Sequence, residues 1–336
     1  MASGIDGIPS DIRLPFTWTA FDPSQADRGA SSMAFNVLLA GQMLPAGEAA
    51  PLVPKRITTE AQAIRFFGEG SQLAQMVAAF LKANNMTRLT AIGIHDYAQG
   101  TAAIGSVEFS GAVTVATPVC LYIGGERVRA GTSLGQTAAA VAAGLIQAVN
   151  ANPGLAVSAA VDPEAAGKVI LTARHKGELG NDIDLRLGYG DEDFPDGLQA
   201  EIVPMSGGAG NPDAAEVVAS MGGERYHVIA LPWHDTASLD AFRDELDSRW
   251  GPLRQIDGQA VLVKTGTFAE VCTFAHARND RHLTVIPSEG SPTLPWKDCA
   301  ACVGVIAYHG SDDPARPFQT LTVPGVLAPA VEDRWS

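Results

Sequence analysis

The chain has 336 residues, 46% of them apolar and 18% charged, which is enough for a sizeable core and, at usual domain sizes, roughly two or three domains. A formal charge of −14 argues against a nucleic-acid binder, which needs a basic face to neutralise phosphates. The longest apolar run, within "CAACVGVIAY" (299–308), is about half the ~20 residues of a membrane span, so no membrane insertion is expected.

The opening "MASGIDGIPSDIRLP" shows neither a basic n-region nor an apolar h-region, so no secretory signal is expected. Cys120, Cys272, Cys299 and Cys302 are too few and too scattered for a disulfide scaffold, and reduced thiols in a cytosolic product are expected.

In chain order, "FNVLLAG" (35–41) reads as a buried strand. "ITTEAQAIRFFG" follows as a helix, with Thr59 and Gln62 spaced as a capping box and Gly68 at the exit. "SQLAQMVAAFLKANN" is the clearest helix. Ser71 can cap it, and Leu73, Met76, Val77, Phe80 and Leu81 share one face. "RLTAIGI" (88–94) is the next strand.

The period then changes. "SVEFSGAVTV", "VCLYIGGERVRA", "LAVSAAVD" and "KVILTARH" alternate as short strands, with Gly124-Gly125 suited to a two-residue hairpin turn. One helix, 136–150, interrupts them. After "MSGGAGNPDA", read as a flexible return linker, the first rhythm resumes: helices at 213–221, 237–250, 267–278 and about 297–308 alternate with strands "YHVIAL", "QAVLVK" and "HLTVIP". Strands separated by helices imply parallel pairing through crossovers. The expectation is an α/β fold: a discontinuous domain with a mainly parallel sheet (31–103 and 206–336), an inserted strand-rich α+β domain (104–205) and an extended N-terminal arm (1–30).

Four motifs resemble chemistry. "GTSLG" (131–135) satisfies G-x-S-x-G with Ser133 as nucleophile, between a strand and a helix. The strand before it is polar, no HGGG-type segment precedes it, and Asp162 or Asp182 with His175 would join it only by coincidence of folding. The plain account is a helix N-terminus at which Thr132 and Ser133 bond the orphan N–H groups. "CAAC" (299–302) has zinc or redox spacing but no second pair, and it opens an apolar helix, as small buried cysteines do. "GGAGNPD" (207–213) has Asp213 where a dinucleotide fingerprint needs its third glycine. "PWHD" (232–235) lies at a strand's carboxyl end, where α/β enzymes place sites, yet it also reads as a loop with capping residues. No catalytic, cofactor-binding or metal-ligating residue is assigned, and no cofactor is expected.

The linear order carries more. "FDPSQADRG…NVLLAGQMLPAGEAAPLVPKRITTEAQAIRFFGEGSQLAQMVAAFLKAN" resembles the opening of contractile-tail sheath proteins of Mu-like phages and prophages. "GSVEFSG…LYIGGERVRA…VILTARHKGELGNDIDLRL" resembles their inserted, outward-facing domain, and "YHVIALPWHDTASLDAFRDELDSRWGPLRQIDGQAVLVKTGTFAEV" with "LTVPGVLAPAVEDRW" the continuation. The resemblance implies a non-enzymatic structural subunit of the virion tail, made in the host cytoplasm. Its copies wind as a helical sheath around a tail tube, between baseplate and tail terminator proteins, and contraction drives the tube through the host envelope. It also implies a linking portion beyond "PGVLAPAVEDRWS", so the chain by itself is expected to be a monomer or weak oligomer. The segment "IPSDIRLPFTWTAFDPS" suits a linking arm, or alternatively an arm folded onto its own domain. The remaining alternative is a serine-hydrolase-like enzyme using Ser133. A glycan-binding insert would need an exposed aromatic platform drawn from Phe109, Tyr122, Tyr189 and Phe194. The charged stretch "HKGELGND" is expected to be a hairpin loop with its charges in water.

Overall fold

A computed structural model describes residues 35–189, 192–313 and 315–329, so the expected arm over 1–30 lies outside the described residues. The apolar run Val37-Leu38-Leu39-Ala40 forms the centre of β1 (Asn36–Gln42), buried along its length after Asn36. Successive strand side chains point to opposite faces, so both faces of the sheet are covered at β1. A short β2 (Lys55–Ile57) precedes α1 (Glu60–Phe67) and α2 (Gln72–Ala83), which lead to β3 (Arg88–Ile94). Thr59 and Ser71 cap the two helices by accepting from the N–H groups of Gln62 and Ala74. The reciprocal half of the expected capping box lands one residue early: Gln62 Oε1 accepts from the N–H and hydroxyl of Thr58.

The strand-rich stretch holds β4 (Ala102–Gly111), β5 (Val119–Ile123), β6 (Glu126–Ala130), α3 (Ala138–Asn150), β7 (Val157–Val161), β8 (Lys168–Lys176), β9 (Leu185–Leu187) and β10 (Leu198–Ser206). The β5–β6 hairpin turns on Gly124 and Gly125, both at positive φ as expected. The returning segment adds α4 (Ala214–Ser220), β11 (Val228–Leu231), α5 (Thr236–Trp250), β12 (Gln259–Thr265), α6 (Phe268–Arg278), β13 (Leu283–Ser288) and α7 (Pro295–Asp312).

Three sheets result. The largest runs β13-β12-β11-β1-β3-β2 and is parallel except for β2, as the helix-separated strands imply. The stretch between β4 and β10 builds two antiparallel sheets, β10-β4-β8-β7 and β6-β5-β9, neither sharing a strand with the first. The fold is therefore α/β with a mainly parallel sheet plus a strand-rich α+β portion. All described residues lie in one compact unit, Ala34–Ser336.

One topological expectation is overturned. The runs flanking "HKGELGND" do not form a hairpin: β8 pairs with β4 and β7, whereas β9 pairs with β5 in the other sheet. A 3-10 turn over Glu178–Asp182 carries the chain between sheets, with Leu179 and Gly180 buried. Two alternating runs around a polar turn look alike whether they pair with each other or with third strands.

Beneath the main sheet, α2 and α7 pack together so closely that a Cβ on Gly304 would lie 3.0 Å from the Cβ of Ala83 and 3.3 Å from the Phe80 carbonyl oxygen. Asn84 locks this crossing by donating to the Gly304 carbonyl at 3.0 Å.

Candidate functional site

The order of the main sheet reverses between β1 and β11, since β1 leads to β3 on one side and β11 to β12 and β13 on the other. In open α/β sheets the crevice at the carboxyl ends of such strands is where ligands bind. Here the chain itself fills that crevice with residues from the end of β8, the 3-10 turn and the 207–211 segment.

Gln42 ends β1, and Asp96 follows β3. The Asp96 carboxylate accepts from Gln42 Nε2 at 2.8 Å, from the Lys176 N–H at 2.9 Å, and pairs with His175 Nδ1 at 2.7 Å. Gln42 Nε2 also donates to the Lys176 carbonyl at 2.8 Å, while its N–H donates to Gln72 Oε1 at 2.9 Å. On the other side of the ring, His175 Nε2 accepts from the Gln72 N–H at the start of α2, at 3.1 Å. A ring nitrogen that accepts carries no proton, so Nδ1 holds the hydrogen and donates it to Asp96. Burial pushes the Asp96 carboxyl up, but the hydrogen bonds from His175, the Lys176 N–H and Gln42 outweigh it and hold the carboxyl below its ordinary value.

An acid–imidazole pair is two thirds of a hydrolytic triad. The third position, where a nucleophile's hydroxyl or thiol would sit against Nε2, is taken by a backbone N–H. The arrangement is a latch between the main sheet and the strand-rich portion.

A second set of bonds lies below β11 and β12. Thr265 Oγ1 donates to Asp182 Oδ1 at 3.0 Å, and His234 Nδ1 stands 3.8 Å from Asp182 Oδ2. Burial lowers the His234 pKa, and the Asp182 carboxylate only partly opposes it. Asp235 caps α5 by accepting from the Ser238 N–H and accepts from Asn211 Nδ2 at 2.7 Å. Asn181 exchanges two bonds with the backbone of Gly208, at 2.8 and 2.9 Å. The return segment is thus bonded at Ala209, which pairs with Thr101, and at Gly208 and Asn211, rather than forming the flexible linker expected. The crevice that remains, lined by Gln42, Gln72, Gln75, His175 and Trp296 among others, holds about 20 Å3, room for about one water molecule.

The chemical motifs are dispersed. Ser133 is exposed on a turn after β6, an edge strand of the three-stranded antiparallel sheet, and not at the end of a central parallel strand. Its N–H donates to Gln136 Oε1, Thr132 Oγ1 donates to the Thr117 carbonyl, and the α3 cap is Thr137. Neither Thr132 nor Ser133 caps the helix, because the cap, Thr137, lies four residues beyond Ser133. His175 and Asp182, which could complete a triad with Ser133 only by meeting it, are instead engaged at the seam.

Cys299 is fully buried at the start of α7, its thiol aimed at the Leu231 and Val261 carbonyls, and burial pushes its pKa up. Burial likewise pushes Cys302 up to about 12, so both thiols of "CAAC" stay protonated. Trp233 of "PWHD" is fully buried. Phe109 and Tyr122 are buried too, which removes half of the aromatics that a glycan-binding platform would need. Among the described residues, no cluster of three or more His, Cys, Asp or Glu side chains is placed to hold a metal ion, and no helix is long and apolar enough to cross a membrane.

Sequence reasoning missed Gln42, Gln72 and Asp96. The available signal was polar residues directly after apolar strands, as in "GQ" at 41–42 and "HD" at 95–96.

Residues 207–336 match the phage tail sheath protein central domain. Over all 336 residues the chain is 39% identical to the Mu-like prophage FluMu tail sheath protein of Haemophilus influenzae (strain ATCC 51907 / DSM 11121 / KW20 / Rd), covering 68% of that protein. The chain belongs to the phage tail sheath family, among the sheath proteins of Mu-like prophages. Two solved structures are also similar. The sheath tail protein Lin1278 from Listeria innocua is 12% identical with a TM-score of 0.30, over 71% of this chain and 50% of that one. The sheath tail protein DSY3957 from Desulfitobacterium hafniense is 14% identical with a TM-score of 0.36, over 87% of this chain and 62% of that one. The chain thus spans between half and about three fifths of the length of these two structures.

Proposed function

We propose that this protein is the structural subunit of a contractile tail sheath. Its copies wind helically around a tail tube, between baseplate and tail terminator proteins, and shorten together to drive the tube through the host envelope. The subunit acts in the virion tail after assembly in the host cytoplasm, and it performs no enzymatic reaction, binds no nucleic acid and inserts into no membrane. Residues 31–103 and 206–336 form its core domain, 104–205 protrude as an insert, and 1–30 serve as a linking arm.

The observation that carries this reading is the identity of 39% sustained over the whole chain with a Mu-like tail sheath protein. The seam supports it. A subunit that switches between two lattice packings must move as a body, and the Asp96–His175–Gln72 latch with the Asp182–Thr265 and Asn211–Asp235 bonds ties its sheets together. An interface that repeats head to tail without closing produces an open helical filament.

Electron microscopy of the full-length protein tests the assembly. Hollow ordered tubes or contracted sheath polymers are expected; a strictly monodisperse particle at high concentration overturns it.

A further inference from the structure

A cavity of about 290 Å3 opens between the sheet edge, the start of α7 and the segment at 323–329. Val263, Ile286, Val323, Val326 and Leu327 make its walls apolar. Asp298 breaks the pattern. It lines the cavity, is only 5% exposed, and its Oδ1 has no hydrogen-bond partner among the described residues.

The nearby donors are committed elsewhere. The Lys297 ammonium pairs with Glu126 at 2.8 Å, and the Ser291 hydroxyl donates to the Leu327 carbonyl at 2.8 Å. Cys302 offers only a weak thiol. None of the lining residues is basic, and Glu289 adds a second acid. A buried carboxylate without a partner is expensive, and a ligand that supplies donors recovers that cost.

We propose that this cavity is a binding site for an ammonium or guanidinium group carried on an apolar body, with Asp298 as its counter-ion. The cation pairs with the Asp298 carboxylate at the cavity wall, the apolar body covers the valine, isoleucine and leucine walls, and Glu289 adds attraction. The volume sits at the small end of ligand pockets, which suits an arylalkylamine or one long basic side chain. The same chemistry has two sources, a free organic amine or a lysine or arginine from a second copy of this chain. The second source rests on the assembly reading above; the first is independent of it.

The test is titration of the chain with phenethylammonium at pH 8, by calorimetry or chemical-shift mapping, beside its neutral isostere 2-phenylethanol and the variant Asp298→Asn. The amine is expected to bind with shifts confined to the cavity walls. Its affinity is expected to fall at least about tenfold in Asp298→Asn, and the alcohol to bind at least about tenfold more weakly than the amine. Burial pushes the Asp298 carboxyl up to about 7, so amine affinity is also expected to weaken as the pH is lowered from 8 to 6. No binding of the amine, or equal binding by the variant or the alcohol, overturns the proposal. The variant removes a charge at nearly constant shape, and a thermal melt verifies that it folds. Sedimentation separates the sources: a side chain from a second copy predicts self-association that Asp298→Asn and excess amine both weaken, and a free amine predicts self-association indifferent to either.

Discussion

His175 Nδ1 donates to Asp96 Oδ1 across 2.7 Å of space and 79 residues of sequence, joining the end of β8 to the loop after β3. Each partner is held from a second direction, Asp96 by Gln42 and the Lys176 N–H, and His175 by the Gln72 N–H. The latch is therefore a network, and removing one member leaves others unpaired.

Asp96→Ala is expected to destabilise the chain by about 1–3 kcal/mol, because it orphans the His175 and Lys176 donors at a part-buried seam. Chemical denaturation measures the loss, and limited proteolysis is expected to cut faster at 96–101 and 207–212. The Asp96 carboxyl is held below its ordinary 3.8 in the fold, so its contribution is present above that pH and is lost as pH falls through the folded value. Asp96→Asn is expected to flatten this acid limb. An unchanged limb would mean that the network carries no coupled proton.

Asp298 works in the opposite sense. Its folded pKa is raised from 3.8 to about 7 by burial, only partly offset by the charge of Lys297, so the folded chain holds this proton more tightly than the unfolded chain. Stability is then undiminished below about pH 4 and declines as pH rises from 3.8 to about 7. Asp298→Asn is expected to stabilise the chain at pH 8 by on the order of 2 kcal/mol and to change little near pH 4, as read from denaturation midpoints at the two pH values.

The crossing of α2 and α7 depends on Gly304. A larger side chain meets Ala83 and the Phe80 carbonyl at distances that only backbone movement can relieve. Gly304→Leu is expected to cost about 1–3 kcal/mol and to lower the melting temperature, whereas substitutions at the exposed Leu253 are expected to stay within about 0.5 kcal/mol.

Ser133→Ala alters an exposed turn residue with no part in the helix cap. Stability is expected to change by less than about 0.5 kcal/mol, and p-nitrophenyl ester hydrolysis to match the wild type. A selective loss of hydrolysis in the variant would restore the enzyme alternative.

What the sequence by itself determined was local. The apolar run at 37–40, the face formed by Leu73, Met76, Val77 and Phe80, the caps at Thr59 and Ser71, and the Gly124-Gly125 turn were all legible, because periodicity and capping depend on residues within about one turn of each other. The alternation of strands and helices likewise announced a parallel sheet. The family resemblance was legible too, since it runs through the chain in order.

Only the tertiary structure decided who pairs with whom. That β9 joins β5 instead of β8, that His175 meets Asp96, and that Asp298 lines an apolar cavity depend on how separate sheets and helices pack. A polar residue carries the same local signature whether its partner is water or a carboxylate 79 positions away. Until the sheets stack, nothing in the neighbouring residues distinguishes the two.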